Sequence, residues 1–121
     1  MATQITDSHG QIPQELIVDT DTLNTLRGDI TGSSGTFYDV HIVNGRTNTA
    51  FVKLYDAATA TVGTTAPDWI FQVPPGTTRS YSFPDGVTFT NLSYACVTSG
   101  GTAGTTSPSG GTTVILHIVT K

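Results

Sequence analysis

From Thr36 onward the sequence breaks into short runs that alternate apolar and polar residues, each run closed by a turn signal. Alternation with a period of two, carried by aromatic and β-branched residues, describes half-buried strands and leaves no room for amphipathic helices. Thr36–Asn44 sets Tyr38, Val40 and Ile42 on one face and Asp39 and His41 on the other. Asn44-Gly45, a dipeptide that tolerates positive φ, then predicts a hairpin to Ala50–Asp56, where Val52 and Leu54 oppose Phe51, Lys53 and Tyr55. Asp68–Val73 follows and is stopped by Pro74-Pro75-Gly76, since proline donates nothing to a ladder. Arg79–Phe83 and Val87–Phe89 are expected to flank a turn at Pro84-Asp85-Gly86, and Leu92–Thr98 is nearly continuous in apolar character. The last strand, Thr112–Thr120, is apolar on both faces except at His117, which predicts a central or doubly covered position.

Connections this short join antiparallel strands, because a parallel crossover needs about a dozen residues. The fold class is therefore all-β: an antiparallel sandwich, jelly-roll-like, over residues 36–121, preceded by an extended N-terminal arm over residues 1–35. In the arm, Leu16, Ile17 and Val18 form one apolar run, and Leu23, Leu26 and Ile30 fall at spacings that suit a short helix or turn. These residues, Leu16 to Val18 with Leu23 and Leu26, are the candidate docking residues of the arm. Composition supports a folded chain with an unusual surface. The 121 residues include 24 threonines, 9 serines and 13 glycines, while charged residues make up only 12 %, about half the usual ~25 %.

The same numbers remove several function classes. Five basic residues are scattered through a chain of net charge −4, which leaves no patch to neutralise neighbouring phosphates, so no nucleic-acid partner is expected. No apolar run approaches the ~20 residues of a membrane span, and the N-terminus carries no basic-then-apolar leader pattern. A single cysteine, Cys96, sits in an apolar run and reads as a buried, inert thiol. His9, His41 and His117 lack the spacing of a zinc site, although the last two lie where strands could bring them together. Asp19-Thr20-Asp21 lacks the glycine and distant glutamate of a calcium loop. No serine occupies a nucleophile elbow, and the glycine-rich stretches lack the lysine of a phosphate loop. The expectation is a protein that is not an enzyme and holds no cofactor.

One word occurs twice: Gly63-Thr64-Thr65-Ala66-Pro67 and Gly104-Thr105-Thr106-Ser107-Pro108. It suggests two related strand–loop units whose loops gather at one end of a sandwich.

The run Val52-Lys53-Leu54-Tyr55-Asp56-Ala57-Ala58 is followed by the first of these loops, then by Val73-Pro74-Pro75-Gly76-Thr77-Thr78-Arg79 and Phe83-Pro84-Asp85-Gly86-Val87-Thr88-Phe89. Leu92-Ser93-Tyr94-Ala95, the second loop and the final Val-Ile-Leu strand complete the order. This series resembles small β-sandwich virion proteins of tailed bacteriophages, especially capsid decoration (cement) proteins. The resemblance implies a non-enzymatic protein on the capsid exterior that binds between major capsid protein subunits and stabilises the shell, commonly as a homotrimer at local three-fold positions. On that reading Ile115, His117 and Val119 of the last strand are candidate subunit-contact residues. The alternative is a receptor- or carbohydrate-binding domain of a tail fibre with Tyr55 and Trp69 as its platform, or a tail or neck component.

Overall fold

The computed structural model describes residues 2–7 and 14–121, with side chains described from Glu15. His9, Gly10 and Pro13 lie outside the described residues. Among those described there are eight strands: β1 (Ala2–Asp7), β2 (Gln14–Asp19), β3 (Gly35–Asn44), β4 (Ala50–Asp56), β5 (Trp69–Val73), β6 (Thr78–Phe89), β7 (Leu92–Val97) and β8 (Val114–Thr120). They form a five-stranded sheet in the order β1-β2-β8-β3-β6 and a three-stranded sheet in the order β5-β4-β7. Every pairing of these strands is antiparallel.

The smaller sheet has a fourth, rudimentary member. Arg27 and Tyr94 exchange backbone hydrogen bonds of 2.9 and 3.0 Å, the Cys96 amide donates to the Leu23 carbonyl, and the Ile30 amide donates to that of Leu92. Residues 23–30 thus run along the free edge of β7, bridged at Arg27 and bent at Asn24 and Thr25; no helix forms at Leu23 and Leu26, and the turn expected near Ile30 is present, where the Gly32 amide donates to the Asp29 carbonyl. With this segment included, the layers read β2-β8-β3-β6 against segment-β7-β4-β5. That is the winding of a jelly roll, two Greek keys folded face to face. From Gln14 on, the N-terminal arm is therefore woven into both sheets.

The core lies between the sheets. Val40, Ile42, Leu116, Ile118 and Ile17 come from the larger sheet and meet Val52, Leu54, Val73, Leu92, Tyr94 and Cys96 from the smaller. β8 sits between β2 and β3 and alternates strictly: Val114, Leu116, Ile118 and Thr120 face inward. Its apolar outer face therefore belongs to a central strand, as the sequence implies.

Three local expectations are overturned. Asn44-Gly45 does not close a hairpin, because β3 and β4 belong to different sheets. It is a corner, in which the buried Asn44 amide donates to the carbonyls of Asn48, Val73 and Pro74 while its own oxygen accepts from the Arg46 amide. The alternation in β3 breaks at a bulge between Phe37 and Asp39, so Phe37 enters the core and Tyr38 does not. An added residue in one strand shifts every side chain before it to the other face. Pro84-Asp85-Gly86 likewise makes no hairpin turn: it is an irregularity within the single strand β6, whose two halves both pair with β3.

Candidate functional site

The two sheets present very different outer faces. On the larger sheet the antiparallel register places Val18, His117, His41 and Ser80 side by side across β2, β8, β3 and β6. One step along the strands lie Leu16, Val119, Asp39 and Ser82, and on the other side Ile115, Val43 and Thr78. The apolar members, Leu16, Val18, Val43, Ile115 and Val119, are all half-buried by their neighbours, and no second layer of the described residues covers them. The imidazoles of His41 and His117 lie 5.8 Å apart in the middle of this stripe. His41 Nδ1 and Ser80 Oγ are hydrogen-bonded at 2.6 Å, and the Ser82 hydroxyl donates to Asp39. Asp39 is the one carboxylate among these described residues, so the face is apolar, hydroxyl-rich and nearly uncharged.

The sequence-derived candidates divide accordingly. Ile115, His117 and Val119 share this face with Leu16 and Val18. Ile17, between the last two, points the opposite way into the core at 2 % exposure, so it cannot dock on anything. Leu23 and Leu26 are half-buried in the segment beside β7. Tyr55 is fully enclosed, with 0 % exposure, and offers no platform for a ligand stacked from solvent. Trp69 is half-buried and packs edge-on against the Phe37 ring, at 5.2 Å between centroids, which is a core contact. Val43 was not singled out from the sequence, although its place in the β3 alternation marks it as outward.

The outer face of the smaller sheet is roofed. Lys53, Tyr55, Ala95 and Val97 face away from the core and are nonetheless at 0 % exposure. β4 and β7 are antiparallel, so the loops that follow them leave from opposite ends. The twin Gly-Thr-Thr loops therefore do not gather at one end of the sandwich. They fold back and meet over the sheet, with Gly63 (φ +91°) set against Thr105 and the Ala103 carbonyl. The Asn24 amide group ties the second loop down through the Thr105 carbonyl, while the Ser93 hydroxyl donates to Ala57 beneath the first.

The titratable groups inside the sandwich are structural. The Tyr94 hydroxyl donates to buried Asp19 at 2.7 Å, and burial with that contact pushes the phenol well above its usual range. Arg27 Nε stands 3.9 Å from the same carboxylate. Burial pushes the Cys96 thiol up to about 12, whereas an exposed thiol ionises near ~8.5. Cys96 should stay unmodified by a thiol-specific disulfide reagent at pH 8 in the native protein and react at the rate of unfolding. The unfolded chain releases this proton first, so stability should decline as pH rises from about 8.5 towards 12; urea melts across that range check the sign.

Among the described residues no three His, Cys, Asp or Glu side chains converge as a metal-binding set, and no helix is long and apolar enough to cross a membrane. Ser93, the most enclosed serine, already spends its hydroxyl between the Asp29 amide and the Ala57 carbonyl. Comparison of the chain with protein-family models, with curated proteins and with solved structures gave no match.

Proposed function

We propose that this chain is a non-enzymatic structural protein of a tailed-phage virion, a decoration protein that sits on the capsid exterior and cements neighbouring major capsid subunits. The observation that carries the reading is the outer face of the five-stranded sheet: a half-buried apolar stripe over β2, β8 and β3 with a single carboxylate, Asp39, among the described residues named above. Contiguous apolar surface of this kind on a folded domain marks a site of association. Its scarcity of charge suits contact with a large particle in any ionic medium, because little of the binding is lost to salt screening. A homotrimer around a local three-fold axis would pack this face, or the exposed edges of the sheets, against identical copies. The motif order that resembles cement proteins supports the same reading. A jelly roll is also a frequent architecture of capsid and lectin domains, although a fold alone does not assign a role.

Shells lacking the protein should melt at a higher temperature once it is added at stoichiometric amounts. A double charge substitution on the stripe, Val119→Asp with Val18→Asp, should abolish the effect while the isolated domain keeps its β-sheet circular dichroism. Unchanged melting of the shells with the unaltered protein would overturn the reading. A ring of density on the tail or neck instead of the shell would move the same structural role to that part of the particle.

A further inference from the structure

Two of the chain's three histidines stand side by side on the larger sheet. His41 on β3 and His117 on β8 are directly opposite in the antiparallel register, and both strands are flanked on each side by others of that sheet. Directly opposed residues share one face, with Cβ atoms about 4.5–5.5 Å apart, so the ladder itself holds the two imidazoles together. Their ring centroids are 5.8 Å apart and their planes are inclined by 42°. Both side chains are half-buried, so neither ring is sealed from solvent.

The separation is close to that of two rings serving one metal ion. A zinc–nitrogen bond of about 2.0–2.1 Å and a ring radius of about 1.1 Å put each centroid about 3.2 Å from the ion, and a tetrahedral angle then sets the two centroids about 5.2 Å apart. From 5.8 Å the rings need to close by only about 0.6 Å, which a small turn about χ2, a broad torsion in histidine, supplies. Ser80 already positions one of them. It lies on β6, the neighbour of β3 on the side away from β8, and its Oγ is 2.6 Å from His41 Nδ1. With Nδ1 turned towards β6, Nε2 is directed away from it. An ion on Nε2 fixes the tautomer: Nδ1–H donates to the Ser80 hydroxyl, the kind of outer contact that metal-binding histidines almost always make. Asp39, two residues from His41 on the same face, adds a negative charge nearby without converging on the two rings.

We propose that His41 and His117 form a two-imidazole site for one borderline divalent transition-metal ion such as Zn²⁺, with water in its remaining positions on the solvent side. Imidazole suits zinc, copper and nickel, whereas Mg²⁺ and Ca²⁺ take oxygen ligands. Two protein nitrogens make this a place of reversible binding and not a structural zinc centre, which takes four protein ligands. The site lies within the stripe proposed above for docking, but it rests on the pair alone and is tested on the isolated protein, whatever the stripe docks on.

The test is a titration of the full-length protein near neutral pH with zinc chloride, and separately with magnesium chloride, read by the nitrogen NMR shifts of the histidine rings. Zinc should give saturable shifts at Nε2 of His41 and at a ring nitrogen of His117, and magnesium should give none. His41→Ala and His117→Ala should each weaken zinc binding about tenfold or more, because the second donor of a chelate binds at high effective concentration. His9→Ala should leave the affinity unchanged. Absence of saturable shifts at the two rings, unchanged zinc affinity in either of the first two variants, loss of binding in His9→Ala, or an equal response to magnesium would each overturn the proposal. Both side chains lie outside the core, so the variants should fold; should either fail to, the ring shifts of the unaltered protein and of His9→Ala decide the matter.

Discussion

A chain shortened to begin at Ser34 should not fold: its circular dichroism should lack β-structure and its thermal scan should lack a cooperative transition. The cut removes β2 and the segment beside β7, hence the sole edge partner of each of two interior strands. Gone with them is Ile17, whose full burial contributes about 1.5–3 kcal/mol. Tyr94 also loses Asp19 as the acceptor for its hydroxyl, which leaves a buried phenol unsatisfied at a cost of about 1–3 kcal/mol. The Thr22 amide no longer reaches Val114, Arg27 no longer bridges Tyr94, and the amides of Tyr94 and Cys96 lose their acceptors. Against a total stability of about 5–15 kcal/mol, typical of a domain, the sum is decisive. A cut that removes only residues 1–13 takes away edge strand β1, which pairs with β2 alone, and should leave a cooperative transition. Docking by the arm must then be tested at Leu16 and Val18, which face outward, and not by its removal.

Phe37→Ala should be the most damaging single substitution, with a loss of about 3–5 kcal/mol and a fall in melting temperature on the order of 10–20 °C for a domain of this size. Phe37 is fully buried and its ring meets three others: Trp69 edge-on at 5.2 Å, Phe83 edge-on at 5.6 Å and Phe89 stacked at 6.4 Å. One truncation therefore opens the end of the core where both halves of β6 and the start of β5 converge. Tyr38→Ala, by contrast, should cost about 1 kcal/mol or less, the range of a half-exposed side chain. The pair is a direct reading of register, because an unbroken alternation through β3 exchanges the two effects. Equal losses at both positions would place the bulge elsewhere.

Those two neighbours also mark where the sequence is legible and where it stops. Period-two patterning locates all of the strands after Thr36 and identifies β8 as central, because a strand apolar on both faces has to be covered or flanked on each side. It also places His41 and His117 on sheet faces that can meet, and they are in register. Partner choice is another matter. Asn44-Gly45 reads as a hairpin from its dihedral preferences alone, yet the Asn44 side chain donates to the carbonyls of Val73 and Pro74 at the end of β5 as well as to that of nearby Asn48, and the first two are long-range contacts with no local signature. The β3 bulge is equally silent, since either Phe37 or Tyr38 satisfies an aromatic position facing inward. Lys53 illustrates the same limit on the smaller sheet. Alternation correctly turns it away from the core, and outward normally means water. Only the return path of two threonine- and glycine-rich loops, which carry no periodic pattern, makes that outward face an interior.

Because β8 lies between β2 and β3, the larger layer cannot close during synthesis on the ribosome until Thr120 has emerged. Until then β2 and β3 each keep an open ladder edge, and their eventual pairings span most of the sequence. Such non-local closure makes for slow folding and a period of exposure to aggregation. Overproduction at low temperature should accordingly raise the soluble fraction of this protein, since the nascent sheet then spends its unfinished interval under weaker hydrophobic attraction.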